Sequence, residues 1–200
     1  MRIHLITHAH TTQLASTDAR TWRLSPLGEQ QATALAGQPW WEQIDLVAVS
    51  SEAKTRLTVD PLLAQRALPL MTDGNLDELH RGGWVDDYSA QVAQAFARPD
   101  VPVGEWEAAA AACTRFEVGI AAVCARALAL PARRVPDGPD VALVSHGLVL
   151  SLYRAALLGQ RRVDLEAWRG LSFCAVAVVA PIARVLLHDF RPVAGHQPRA

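Results

Sequence analysis

The sequence predicts an α/β fold, a three-layer sandwich in which helices flank a mostly parallel central sheet. Short apolar runs alternate with longer segments of helical periodicity, which is typical of parallel strands joined by helical crossovers. Two of the apolar runs, 2–7 and 141–145, end directly in histidine-containing polar segments. Half of the 200 residues are hydrophobic and a fifth are charged, which excludes a disordered chain.

The first half of the chain alternates strands and helices. Ser25 and Pro26 predict a helix start, with serine as the N-cap and proline in the first turn, and Gly37 predicts its end. The polar, glycine-containing residues 75–87 predict a loop. The other expected elements are strands at 2–7, 45–50 and 68–71 and a helix over 54–66, in which Pro61 either interrupts the helix or starts a new turn.

The second half repeats this alternation. The expected elements are helices at 88–97, 105–130 and 148–158, strands at 141–145, 173–180 and 184–190, and a surface linker at 131–140. The core candidates of the long helix are Trp106, Cys113, Phe116, Ile120, Val123 and Leu128. We expect one domain over residues 1–200, with a helical cap-like insertion around 76–130.

Charge and hydropathy exclude several classes of partner. The formal net charge is −1, so the chain lacks the basic surface that nucleic-acid binding requires. The longest uncharged runs, 141–153 and 171–183, are shorter than the roughly 20 residues that cross a bilayer. We therefore expect no nucleic-acid partner and no membrane association, and a homodimer stays open. The early polar pair Thr7-His8 argues against a signal peptide, and three cysteines without paired spacing favour a cytoplasmic protein.

Two histidines lie just beyond predicted strands. His8 follows the strand at 2–7, and His146 follows the strand at 141–145. Ligands of α/β proteins bind beyond the carboxyl ends of the strands, so two histidines at equivalent strand ends predict a site. One alternative is zinc, because His8 and His10 resemble the start of a metallo-β-lactamase motif. The Asp-His continuation of that motif is absent and zinc catalysis needs three protein ligands, so we expect no metal.

Five motifs in order resemble the histidine phosphatase superfamily, the phosphoglycerate mutase-like group. They are Leu-Ile-Thr-His-Ala-His-Thr at 5–11, Leu-Ser-Pro-Leu-Gly-Glu-Gln-Gln-Ala at 24–32, the segment from Asp45 through Ser50-Ser51 to Lys54 and Thr58, Leu-Asp-Glu-Leu-His-Arg-Gly-Gly-Trp at 76–84, and Val-Ser-His-Gly at 144–147. Each motif alone is weak evidence, but their ordered spacing is specific.

The resemblance implies a fold, a reaction and a set of site residues. It implies the phosphoglycerate mutase-like sandwich and a phosphohistidine intermediate on His8. Glu78 matches the family's general acid, and His146 matches its second histidine. The expected phosphate-binding residues are Thr7, His10, Thr11, Lys54, Arg56 and Gly147. No metal or organic cofactor is implied, and the expected partner is a small phosphorylated substrate.

The first motif departs from the family pattern. Thr7 stands where the family has arginine and Ala9 where it has glycine, so a bidentate phosphate donor is missing. The candidates to replace this donor are His10, Arg23, Arg56 and Arg81. Lys54 is the only lysine among the 19 lysine and arginine residues of the chain.

Two function classes remain open. One is a phosphohydrolase acting on a small phosphomonoester, which the retained His8, Glu78 and His146 favour. The other is a catalytically impaired relative that binds a phosphorylated ligand or a protein partner, which the lost arginine favours. We favour the enzyme over the binder, and over a phosphoglycerate-type mutase or a zinc metallohydrolase. We also expect Thr7→Arg to raise activity.

Overall fold

A six-stranded sheet lies at the centre of the computed structural model, which describes residues 1–131 and 138–193. The strands are β1 (Arg2–Thr7), β2 (Ile44–Val49), β3 (Leu70–Thr72), β4 (Asp140–Ser145), β5 (Ala175–Ala180) and β6 (Val185–Pro192). Their order is β3-β2-β4-β1-β5-β6. Strands β1 to β4 are parallel, whereas β5 is antiparallel to both of its neighbours. The predicted mostly parallel sheet is therefore confirmed.

Helices cover both faces of the sheet. They are α1 (Pro26–Ala36), α2 (Ala53–Leu63), α3 (Tyr88–Ala97), α4 (Ala109–Leu128), α5 (Gly147–Leu157) and α6 (Leu165–Arg169). Successive side chains of a strand point to opposite faces, and the core divides accordingly. Ile6 packs in a cluster with α1 and α2 side chains, while Leu5 belongs to a second cluster with side chains of α3 to α6. This is the three-layer sandwich that the sequence predicts.

Most predicted elements shift by only a few residues, but some expectations are wrong. The long helix begins at Ala109 instead of 105, and the short helix α6 was not predicted. Leu128 is 58% exposed because it follows the buried Ala127 by one residue, which turns its side chain about 100° away from the core. Cys113 and Cys124 are half-buried, whereas Cys174 is buried. Residues 132–137 of the predicted linker lie outside the described residues.

The stretch from 76 to 130 contributes to the core. Val92 and Phe96 of α3 and Phe116 and Ile120 of α4 pack in the same cluster as the strand residue Leu143. The two helices thus form part of a layer on the sheet, and a role as a cap over the site stays a prediction. In the part of the chain described here, no helix is both long and apolar enough to cross a membrane.

Candidate active site

The two histidines meet where three neighbouring strands end. Strand β4 lies between β2 and β1, so the segments that follow these strands emerge side by side. The ring centroids of His8 and His146 are 5.3 Å apart, with an angle of 60° between the ring planes. Both residues are buried. The sheet therefore brings together two imidazoles that are 138 positions apart in the sequence.

His8 is fixed in position by its backbone and its ring. Its backbone N–H donates to the carbonyl oxygen of Ser145 at 2.9 Å. Its Nδ1 lies 2.7 Å from the carbonyl oxygen of Ala9. Because a carbonyl oxygen only accepts hydrogen bonds, Nδ1 carries the proton, and the lone pair of the neutral ring is on Nε2. This is the tautomer that nucleophilic attack by Nε2 requires.

Side chains from α1 and α2 hold the segment after His8. The Ala9 N–H donates to Oγ1 of Thr58 at 2.9 Å, and the His10 N–H donates to Oε1 of Gln31 at 2.8 Å. Gln31 belongs to the second sequence motif and Thr58 to the third. These motifs therefore occur together with the His8 motif because their side chains hold the backbone that follows His8.

Gly28 lets α1 approach the segment of His10. A Cβ atom at position 28 would lie 2.0 Å from the carbonyl oxygen of His10, so no other residue fits without displacing the backbone. Gly28 thus allows α1 to pack closely against the segment that follows His8.

The N-cap Ser25 adds a polar contact, since its Oγ lies 2.7 Å from Nδ1 of His10. Thr11 is also buried, and its backbone pairs with Leu24.

His146 faces side chains that follow β2. Its Nε2 lies 2.8 Å from Oγ of Ser50 and 3.5 Å from Oε1 of Glu52. The second carboxylate oxygen of Glu52 accepts a hydrogen bond from Lys54 Nζ, and both of these side chains are buried. The only lysine of the chain therefore lies within the site, already paired with a carboxylate.

Among the expected replacements for the missing arginine, Arg56 is directed elsewhere. Its Nε donates to Oδ1 of Asp60 at 2.5 Å on the exposed face of α2. Because the helix places residues 54 and 56 about 200° apart, Arg56 points away from the buried face that carries Lys54. The expectation that Arg56 binds phosphate is not met by this conformation.

Arg81 lies closer to the site. Its guanidinium lies 5.2 Å from the centroid of the Tyr88 ring. Burial acts to lower the pKa of Arg81, but Tyr88 and the carboxylates of Glu78 and Glu52 hold that pKa above its ordinary value. Arg81 is thus an expected replacement arginine that interacts electrostatically with the acidic groups of the pocket.

Glu78 is buried at the N-terminus of α5. Its Oε1 accepts from the Val149 N–H at 3.0 Å and from the Leu79 N–H at 3.0 Å, and its Oε2 accepts from the Leu148 N–H at 3.1 Å. The first turn of a helix offers unsatisfied N–H groups and the positive end of the helix dipole, so a carboxylate is stabilised there. Gly147, an expected phosphate ligand, is the first residue of this turn.

Hydrogen bonds of three further side chains, those of Asp77, Ser145 and Arg115, hold the segment that carries Glu78. Oδ1 of Asp77 accepts from the Ser51 N–H at 2.7 Å, and the Ser145 hydroxyl donates to the Leu76 carbonyl at 2.7 Å. Arg115 of α4 donates to the carbonyl oxygens of Asp77 at 3.1 Å and Glu78 at 3.0 Å. The loop is therefore attached to the segment that follows β2, to β4 and to α4.

The Thr7 hydroxyl is used within the fold. It donates to the carbonyl oxygen of Ser172 at 2.8 Å and accepts from the Ala175 N–H at 2.9 Å. The side chain is fully buried. The expectation that Thr7 donates to phosphate is therefore not met in this conformation, because its single hydroxyl proton already has an acceptor.

Thr7→Arg is expected to destabilise the protein, which opposes the gain in activity that the sequence predicts for this variant. A guanidinium at position 7 has to displace residues 172–175 or to bury a charge without a partner, which typically costs several kcal/mol. Thr7→Val, which keeps the shape and loses only the hydroxyl, is expected to cost about 1–3 kcal/mol. Urea denaturation of both variants checks this. A Thr7→Arg protein as stable as wild type would show that position 7 opens towards the pocket.

Sequence reasoning missed several residues of the site. Glu52 lies inside the third motif, two positions before Lys54, and a buried lysine needs a carboxylate partner, so its position was a usable signal. The ring of Phe173 lies 5.7 Å from that of His8 and 5.0 Å from that of His10. No local pattern points to Phe173, because only the pairing of β5 with β1 brings it there.

Within residues 1–131 and 138–193, no group of three or more His, Cys, Asp or Glu side chains is arranged to hold a metal ion. His10, the second histidine of the zinc-like pattern, has its Nδ1 directed to Ser25. The absence of a metal requirement stays a prediction.

The chain matches a known family model in sequence and several solved structures in fold. The sequence model described as the histidine phosphatase superfamily (branch 1) matches residues 3–183. No curated protein matches the chain. Bacillus stearothermophilus YhfR is similar in structure, with a TM-score of 0.72 and 16% identity over 99% of this chain and 98% of that one.

Two further solved structures have the same fold. Mycobacterial glucosyl-3-phosphoglycerate phosphatase in complex with inorganic phosphate has a TM-score of 0.69 and 24% identity, over 90% of this chain and 89% of that one. The α-ribazole phosphatase of Shigella flexneri has a TM-score of 0.67 and 22% identity, over 100% and 99%. At these identities the likeness shows a shared fold.

Proposed function

The chain belongs to branch 1 of the histidine phosphatase superfamily, and we propose that it hydrolyses a small phosphomonoester through a phosphohistidine formed on His8. The observation that carries the proposal is the buried pair of imidazoles, 5.3 Å apart, in which the Nδ1 contact of His8 directs the lone pair to Nε2. The solved phosphatases of the same fold support it at the level of the reaction class.

In the first step, Nε2 of His8 attacks phosphorus while the bond from phosphorus to the ester oxygen breaks. The Glu78 carboxyl group, which is protonated when the phosphomonoester dianion lies beside it, gives its proton to the leaving alkoxide and so makes the alkoxide a better leaving group. His146 and Lys54 stabilise the negative charge that spreads over the non-bridging oxygens. The products of this step are the free alcohol and a phosphohistidine.

In the second step, water attacks the phosphohistidine and the bond from Nε2 to phosphorus breaks. The Glu78 carboxylate accepts the proton of the attacking water, which restores the acid for the next cycle. Inorganic phosphate leaves, and His8 returns to its neutral form. No further reactant is required.

The alternative function, binding of a phosphorylated ligand without turnover, has its own support. Thr7 donates within the fold, and Lys54 is paired with Glu52. Such a pocket has fewer available donors for a transition state than one that contains the family arginine. A binder would hold a phosphomonoester intact, whereas the proposed enzyme transfers its phosphoryl group to His8.

Trapping the intermediate separates the two functions. The protein is mixed with a radiolabelled phosphomonoester and quenched in alkali, in which phosphohistidine survives. We expect label on the peptide that contains His8, and we expect acid to release it. A protein that binds the ester but never becomes labelled, while the ester stays intact, would favour the binder.

Two tryptophans mark the side on which the organic part of the substrate would lie. The Trp22 ring centroid is 5.9 Å from Lys54 Nζ, and the rings of Trp22 and Trp84 are 6.3 Å apart. The Trp22 indole N–H donates to the Thr17 hydroxyl at 3.2 Å, which fixes the ring. Trp84 is 51% exposed, so its ring lies at the surface beside Trp22. A large exposed aromatic ring next to a charged pocket favours a substrate with a planar or apolar organic part.

Trp84→Ala is therefore expected to raise KM for an aryl phosphomonoester about five- to tenfold, because the substrate loses one aromatic contact that contributes about 1 kcal/mol of binding free energy. The value of kcat should change little, because the ring does not touch the reacting atoms. Inhibition by inorganic phosphate, which has no organic part, is the control and should be unaffected. An unchanged KM would remove Trp84 from the substrate site.

A further inference from the structure

Glu52 lies among the very groups that are expected to bind phosphate. One carboxylate oxygen accepts from Lys54 Nζ. The other accepts from the Glu78 N–H at 2.9 Å and lies 3.5 Å from Nε2 of His146. Glu52 is only 3% exposed, so solvent does not weaken these contacts. A cation, an imidazole and a backbone amide around one buried carboxylate form an anion-binding site that the protein fills itself.

We propose that the Glu52 carboxylate occupies the anion-binding position of this pocket and competes with the phosphoryl group of the ligand, which has to displace it. The proposal rests on the proposed function, because it assumes that phosphate binds between His8, His146 and Lys54. It adds a residue that neither the family motifs nor the reaction requires, and it assigns to that residue the control of phosphate affinity.

The charge balance of the pocket supports competition. Lys54 contributes one positive charge, and Glu52 already neutralises it. A phosphate dianion added beside an undisplaced Glu52 would face a buried carboxylate, and like charges at such distances repel strongly where water is excluded. Phosphate binding therefore requires the Glu52 side chain to leave Lys54 and His146.

Displacement has a consequence for substrate selection. An ester whose organic part contacts the protein gains binding free energy that offsets the loss of the Glu52 contacts. Inorganic phosphate has no organic part, so it competes with Glu52 on charge alone. The pocket thus favours the ester over the product phosphate, and product inhibition is weak.

Phosphate binding to three proteins tests the proposal. They are wild type, Glu52→Gln, and the matched control Glu166→Gln, which loses an exposed carboxylate paired with Arg169 near the start of α6. Calorimetric titration with inorganic phosphate is expected to show at least about tenfold tighter binding to Glu52→Gln than to wild type, because one opposing buried charge is gone. Glu166→Gln should bind phosphate like wild type.

Thermal melting provides the second readout. Without phosphate, Glu52→Gln should melt below wild type, because buried Lys54 has lost its counter-ion. Phosphate should restore its melting temperature, while sodium chloride at the same ionic strength should not. A merely structural ion pair would give the loss of stability without this specific rescue.

The outcomes separate this proposal from the proposed function. Equal phosphate affinity in wild type and Glu52→Gln overturns the role of Glu52 and leaves the phosphatase standing. If neither protein binds phosphate, the assumption that this pocket binds phosphate is wrong. The proposal is also overturned if Glu52→Gln stays unfolded in phosphate while Glu166→Gln folds. That outcome would show that Glu52 is needed for folding and is not exchanged for phosphate.

Discussion

Replacement of His8 by asparagine is expected to abolish phosphomonoester hydrolysis, with kcat lowered by roughly three orders of magnitude or more. Asparagine keeps an amide near the position of Nδ1, so it can still donate to the Ala9 carbonyl, but it provides no nucleophilic nitrogen. The radiolabelled phosphoenzyme should disappear together with turnover. Steady-state assays on an aryl phosphomonoester measure the first effect, and alkaline quenching measures the second.

The matched control for this variant is His188→Asn, because His188 is exposed on β6, at the far edge of the sheet from β2. It should keep wild-type kcat and wild-type melting behaviour. Binding of inorganic phosphate to the His8 variant shows whether the pocket has kept its shape. Turnover that survives in a folded His8→Asn protein would contradict the phosphohistidine mechanism and return the zinc metallohydrolase to consideration.

The sequence predicted the parts of the fold and site that depend on local pattern. Strand β1 and helix α1 carry strong signals, because Ser25 and Pro26 start the helix and Gly37 ends it. The strand-end positions of His8 and His146 also follow from the chain itself, since parallel strands direct their carboxyl ends to one edge. Helix α6 was missed because five residues are too few to show a periodicity.

Side-chain direction could not be predicted from the sequence. Lys54 and Arg56 are two residues apart in α2. Only the packing of this helix in the structure shows that Lys54 is buried, whereas Arg56 pairs with Asp60 on the exposed face. Thr7 is a similar case. Its hydroxyl could have faced the pocket, but the pairing of β5 with β1 brings Ser172 within hydrogen-bonding distance. Both outcomes depend on contacts between segments that are remote in sequence.

Glu78→Gln is expected to have the second-largest effect on catalysis, and the effect should depend on the leaving group. Loss of general acid catalysis lowers rates by about 10²–10⁴-fold. An alkyl phosphomonoester needs a proton on its leaving oxygen, so its phosphoryl transfer should slow by this factor. A p-nitrophenolate group leaves without a proton, so phosphorylation of His8 by p-nitrophenyl phosphate should proceed almost normally.

The second half of the reaction should then limit the variant, because water loses its general base. With p-nitrophenyl phosphate we expect a burst of nitrophenolate equivalent to the enzyme concentration, followed by slow turnover. Stopped-flow absorbance measures the burst, and radiolabelled phosphate measures the accumulated phosphohistidine. The two substrates should differ in the burst, since the alkyl ester gives none.

Glu78 also accepts three backbone N–H groups, so its replacement has a structural cost that has to be separated from catalysis. The glutamine amide directs a donor towards one of these N–H groups, which costs about 1–3 kcal/mol. Asp164→Ala is the matched control, because the Asp164 carboxylate accepts from the N–H groups of Glu166 and Ala167 at the start of α6, outside the site, and loss of such an N-cap costs about 1 kcal/mol. It should lose stability to a similar extent but turn over both esters as wild type does. Equal slowing of alkyl and aryl esters by Glu78→Gln, without a burst, would mean that this carboxylate serves α5 only as a helix cap and that the leaving group takes its proton from another residue.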